Sequence, residues 1–106
     1  MQNSKIQNNV YYQVSSDNLL SIIVPCFNEI NTIDEVIQKI KNSPILNKEI
    51  IIIDDYSTDG SKEFLENIKD EEIKVIFHKK NQGKGAALRT GIGFAKGDIV
   101  IIQDAD

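Results

Sequence analysis

The stretch EIIIIDDYSTDGS, residues 49–61, decides the fold. Its four consecutive isoleucines, Ile50 to Ile53, form a short apolar run of the kind found in strands buried on both faces. The run closes on two carboxylates, Asp54 and Asp55, and passes into Tyr56-Ser57-Thr58-Asp59-Gly60-Ser61, a segment of turn and cap formers. A strand over Glu49 to Ile53 is therefore followed at once by a helix start, with Ser57 and Asp59 expected to cap that helix.

The same alternation extends in both directions. Leu20 to Val24, Ile73 to Phe77 and Asp98 to Gln103 repeat the Ile- and Val-rich strand composition. Between them, Ile33, Val36, Ile37 and Ile40 make one apolar helical face, with Asn31 and Asp34 as an expected capping pair. A shorter second helix puts Phe64, Leu65 and Ile68 on one side. A third, Gly85 to Ala95, carries a stripe of small and apolar residues suited to close packing on a sheet. Strand, helix and strand in this rhythm predict an α/β, Rossmann-like, three-layer fold with a mostly parallel sheet and right-handed crossovers. In the doubly wound order 3-2-1-4, the ligand crevice opens between the carboxyl ends of the first and fourth strands. Residues 1–18, polar and without period, read as an N-terminal arm ahead of a domain over 19–106.

Composition narrows the function. The chain has 106 residues, 41% hydrophobic content and a net charge of -4, which suits one compact domain. It has no lysine and arginine block, which argues against nucleic acid as a partner. Cys26 is the sole cysteine, so no internal disulfide forms, and a reducing, cytoplasmic setting is expected. Apolar runs of four residues, such as Ile99 to Ile102, fall far short of the ~20 needed to cross a bilayer.

Three clusters carry candidate chemistry, and the predicted topology brings them to one rim. Asp104 and Asp106, at i and i+2 on an extended segment, point the same way and can address one hard cation, Mg or Mn. The alternative is a solvated acidic strand end. Asp55, beside Asp54, can accept hydrogen bonds from a base or ribose, as carboxylates at strand ends do in nucleotide folds. Asn81-Gln82-Gly83-Lys84-Gly85 leads into the third helix, with Lys84 near a helix N-terminus that favours anions. It is neither a Walker loop nor a full dinucleotide fingerprint, and a turn with a solvent-facing lysine is the other reading. Cys26 and His78 receive no role.

Taken together, Ser21 to Glu29, Ile53 to Ser61, Asn81 to Arg89 and Asp104-Ala105-Asp106 resemble the opening half of family 2 glycosyltransferases of the GT-A fold. The segment Gly83 to Arg89 is most similar to the dolichyl- and polyprenyl-phosphate sugar synthase branch. The resemblance implies a nucleotide pocket lined by Pro25, Asn28 and Glu29, a base contact from Asp55 supported by Asp54, Lys84 on the diphosphate side, and a metal held by Asp104 and Asp106, with Asp104 also counted as the seventh nucleotide-binding residue. It further implies a UDP- or GDP-sugar donor, a lipid-phosphate acceptor and transfer with inversion, the full-length protein being membrane-associated. Family members continue beyond this motif into an acceptor region that carries the general base, so the chain by itself is expected to be inactive. The alternative from another class is a non-catalytic nucleotide-binding or interaction module. A phospho-receiver fits badly, since by resemblance receivers carry their aspartate pair after the first strand and here it follows the second. The fourth strand, at a sheet edge, is expected to allow pairing with a second copy.

Overall fold

The computed structural model describes residues 18–45 and 47–106; all of the polar arm except Asn18 lies outside them. Seven elements follow in order: β1 Leu20–Cys26, α1 Ile33–Lys41, β2 Lys48–Asp54, α2 Ser61–Glu66, β3 Ile73–Phe77, α3 Lys84–Phe94 and β4 Ile99–Ile102. The strands form one sheet in the order β3-β2-β1-β4, every neighbouring pair parallel. This is the expected doubly wound order.

Period-two alternation along β1 and β2 divides the core into two layers. On one face Ile22, Val24, Ile50 and Ile52 pack with Ile33, Ile37 and Ile40 of α1 and Leu65 of α2. On the other, Ile23, Ile51 and Ile53 pack with Ala87 of α3. All four isoleucines of β2 are completely buried, each contributing roughly 2 kcal/mol of apolar transfer free energy. The helix α3 lies close to β1 and β2 because Gly91 has no side chain: a Cβ there would sit 2.5 Å from Ile23 Cγ2 and 2.7 Å from Ile53 Cδ1.

Three local expectations are corrected. The strand β4 is not buried as β1 and β2 are; Ile99, Val100, Ile101 and Ile102 are 38–48% exposed, and β3 is only half-buried. Among the described residues it pairs only with β1, while α3 packs over β1 and β2. The Asn31 and Asp34 pair does not cap α1. Thr32 stands at that N-cap without a side-chain cap bond, its hydroxyl donating instead to the Ala105 carbonyl at 2.6 Å. Nor does Ser57 cap α2. Gly60, at φ 107, occupies the N-cap, and the Ser57 hydroxyl accepts the Asn28 N–H across the rim. Asp59 acts on both sides: one carboxylate oxygen takes the N–H of Ser61 at the first residue of α2, and the other takes the N–H of Ile30.

Candidate functional site

All four strands run the same way, so their carboxyl ends meet at one rim, where a cleft of about 360 Å³ opens. Pro25, Phe27 and Glu29 come from the end of β1, Asp55 from the end of β2, Asn81, Gly83 and Lys84 from the loop into α3, and Asp104 and Asp106 from the segment after β4. Five of the seven nucleotide-site residues expected from the sequence line this cleft, as do both expected metal ligands. The other two do not line it: Asn28 is exposed and Asp54 is buried.

Both residues shape the rim. The Asn28 carboxamide oxygen accepts the Thr58 N–H at 2.7 Å, tying the turn after β1 to the turn after β2. Asp54 is fully buried and accepts the Ser57 N–H at 3.0 Å. The backbone at the two strand ends takes up positive φ at non-glycine residues, Asn28 at 54° and Tyr56 at 68°. Such strain persists only where surrounding bonds over-determine the conformation. Here the cross-rim bonds of Asn28, Ser57 and Asp59 do so.

Asp55 is the most heavily engaged carboxylate of the cleft. Its Oδ1 accepts the Gln82 N–H at 2.9 Å and contacts His78 Nδ1 at 2.8 Å, and its Oδ2 accepts the Gly83 N–H at 2.8 Å. Burial pushes its carboxyl up, but the bonds from His78, Gln82 and Gly83 outweigh this and hold it below its ordinary value of 3.8. Gly83 sits at φ 96 as the residue before α3, a conformation that favours glycine and turns its N–H toward Asp55.

The linkage has a definite sign. A depressed folded-state pKa gives stability that is fully present above the unfolded value and is lost as pH falls through the folded one. Asp55→Asn is therefore expected to be less stable than the parent at neutral pH, with the gap closing below about pH 4. Urea unfolding of both proteins across that range measures it; a gap independent of pH would refute the carboxylate's part.

Lys84 and Asp104 form an ion pair at 2.6 Å, both side chains more than half exposed. The bond to Asp104 raises the Lys84 ammonium above its ordinary value. The segment carrying Asp104 and Asp106 is fixed between them by Ala105, which is buried and whose carbonyl accepts the Thr32 hydroxyl. The donors suit a hard cation. They are carboxylate oxygens, and a cationic ammonium already stands against Asp104. Among the described residues no group of three or more His, Cys, Asp or Glu gathers at one point. Mg and Mn sites of this kind take one or two protein carboxylates and complete their shell with water and substrate phosphate.

The sequence reading missed His78 and left Phe27 without a role. His78 was within reach of a register argument: the last parallel pair is Asp54 with Phe77, so the next position brings His78 beside Asp55. Cys26 is buried, and burial together with the nearby Asp54 charge pushes its thiol up to about 12, far from a reactive thiolate. Among the described residues no helix is long and apolar enough to cross a membrane.

Residues 21–106 match the profile of glycosyl transferase family 2. The chain belongs to that family. It is 38% identical, over 95% of its length, to an uncharacterized glycosyltransferase of Rickettsia conorii, and spans 17% of that protein. It is 35% identical, over 84% of its length, to the undecaprenyl-phosphate 4-deoxy-4-formamido-L-arabinose transferase of Proteus mirabilis, and spans 29% of it. Its structure superposes with a TM-score of 0.73 and 31% identity on a mannosyltransferase of Pyrobaculum calidifontis solved with GDP-Man and Mn2+, covering 82% of this chain and 27% of the other. The fold is thus the Rossmann-like α/β arrangement of GT-A glycosyltransferases.

Proposed function

We propose that residues 19–106 form the donor-binding part of a glycosyltransferase that takes a nucleotide-diphospho-sugar with Mg or Mn. One observation carries the reading: a single cleft gathers two carboxylates suited to a hard cation, a lysine at a helix N-terminus and a carboxylate at the end of β2. Pro25, Phe27 and Glu29 wall the nucleotide. Asp55 faces the base, with one of its roughly four acceptor positions not taken by the loop or His78. Lys84 and the first turn of α3 face the diphosphate, where the helix dipole favours negative charge. Asp104 and Asp106 hold the cation, and Asp104 also orders Lys84. When bound, the cation neutralises the diphosphate and makes it a better leaving group. Transfer belongs to the whole protein, with inversion at the sugar and a polyprenyl phosphate as acceptor. The P. mirabilis relative, whose name includes undecaprenyl phosphate, supports the lipid-phosphate acceptor.

Calorimetric titration of UDP and GDP into the whole protein, with Mn and with EDTA, tests the reading. Binding of one nucleotide, strengthened about 100-fold by Mn, is expected. A folded protein that binds neither nucleotide in Mn would overturn it.

A further inference from the structure

His78 is absent from the cleft wall, yet every polar atom of its side chain is engaged. The side chain is 7% exposed. Nδ1 lies 2.8 Å from Asp55 Oδ1 and Nε2 lies 2.9 Å from Thr90 Oγ1. An ionised Asp55 cannot donate, so Nδ1 carries the proton; in the neutral ring Nε2 then accepts the Thr90 hydroxyl. The backbone of His78 is fixed as well, its N–H donating to the Asp54 carbonyl at 2.9 Å and prolonging the β2–β3 ladder by one bond.

The imidazole thus spans from α3 to the end of β2, and the carboxylate it holds is the one that takes the Gln82 and Gly83 N–H groups. Asn81 adds a bond from its carboxamide to the Asp55 carbonyl at 3.2 Å. The end of β3 and the 81–83 loop thus converge on Asp55 at the end of β2, and the body of α3 reaches it through His78. Lys84 follows directly as the first residue of α3, so its position depends on this junction.

We infer that His78, braced by Thr90, is a positioning residue: through Asp55 it sets the shape of the 81–83 loop and so the approach of Lys84 to a diphosphate. The inference rests on the donor-binding reading for its functional consequence and on the hydrogen bonds alone for the loop. Without the imidazole, Asp55 keeps its two backbone donors but loses the group that orients it, and the loop gains freedom. An asparagine at position 78 can restore a donor near the place of Nδ1. Thr90→Val removes only the hydroxyl brace and keeps the side-chain shape.

Two measurements on the whole protein decide it. In the first, amide hydrogen exchange without nucleotide, His78→Ala is expected to speed exchange at least fivefold over residues 81–84 and leave β1 and β2 unchanged. His78→Asn should return most of the protection, and Thr90→Val should have a smaller effect of the same kind. Unchanged exchange over 81–84 in a folded His78→Ala protein, or no rescue by asparagine, overturns the inference. The second measurement is a double-mutant cycle on the affinity for UDP or GDP in Mn. Lys84→Ala is expected to weaken binding about tenfold in the parent and less than threefold in the His78→Ala background. Equal factors in both backgrounds overturn the functional half, because a side chain with a general structural role gives additive losses. If the parent binds neither nucleotide, the donor-binding reading fails by itself, and the exchange result still decides whether His78 holds the loop.

Discussion

Replacing Gly91 by valine is expected to lower the unfolding free energy by about 3 kcal/mol, the upper part of the range for overpacking a dense core. The first added atom already meets Ile23 Cγ2 at 2.5 Å, and that methyl is bonded to the Cβ of a residue in β1. It moves only if the whole Ile23 side chain turns about χ1, which its fully buried site opposes, whereas Ile53 Cδ1 is a chain end that χ2 alone can shift. Relief therefore requires α3 to lift from β1 and β2. Alanine should cost about 1 kcal/mol or more by the same route, and valine adds two methyl groups to the same gap. Urea unfolding measures both. A valine variant within 0.5 kcal/mol of the parent, roughly the scatter of neutral surface substitutions, would mean that the helix tolerates a wider separation than the packing indicates. Because α3 also carries Lys84 at one end and Thr90 in its body, a lifted helix should weaken nucleotide binding even in molecules that stay folded.

Removing either carboxylate of the Asp104 and Asp106 pair is expected to reduce nucleoside-diphosphate affinity about 100-fold in Mn and to change it little in EDTA. The size follows from losing roughly 3 kcal/mol of metal-mediated charge stabilisation at the phosphates. The two variants should differ in one respect. Asp104→Ala also releases Lys84 from its 2.6 Å ion pair, so its EDTA affinity should rise slightly over the parent as the ammonium becomes available to phosphate. Asp106→Ala leaves that pair intact and should show no such gain. Titration of both variants with UDP and GDP, with and without Mn, separates the cases. Retention of full Mn dependence in Asp106→Ala would remove that residue from the cation's shell.

The strand order and the rim were legible because they rest on signals that survive any context. Four apolar runs separated by helical patterns leave few topologies, and in a parallel sheet all carboxyl ends share a side. What could not be read depended on groups far apart in sequence. Ile50–Ile53 and Ile99–Ile102 have nearly the same composition, yet one run is completely buried and the other 38–48% exposed. The difference lies in how many strands and helices flank each, which a local window does not contain. Ser57, Asp59 and Asn28 look like local cap and turn formers, but each also makes a bond across the ends of β1 and β2, about thirty residues apart in the chain. His78 pairs with a carboxylate 23 residues earlier, and only the β2–β3 register brings them together.

The two acidic residues proposed to hold a cation follow β4, one of the two edge strands of the described sheet and the more exposed of them. Local opening free energies track the contacts that hold a segment, so β4 should belong to the low-stability end of the described domain, and β2 to its most protected part. A ligand that bridges Asp104 and Asp106 to the firmly held α3 loop would tie this loosely held edge to the core. Binding would then slow hydrogen exchange in β4 more than anywhere else in the sheet. Anything laid against the open side of β4 would, by the same coupling, tighten the cation's hold from a distance.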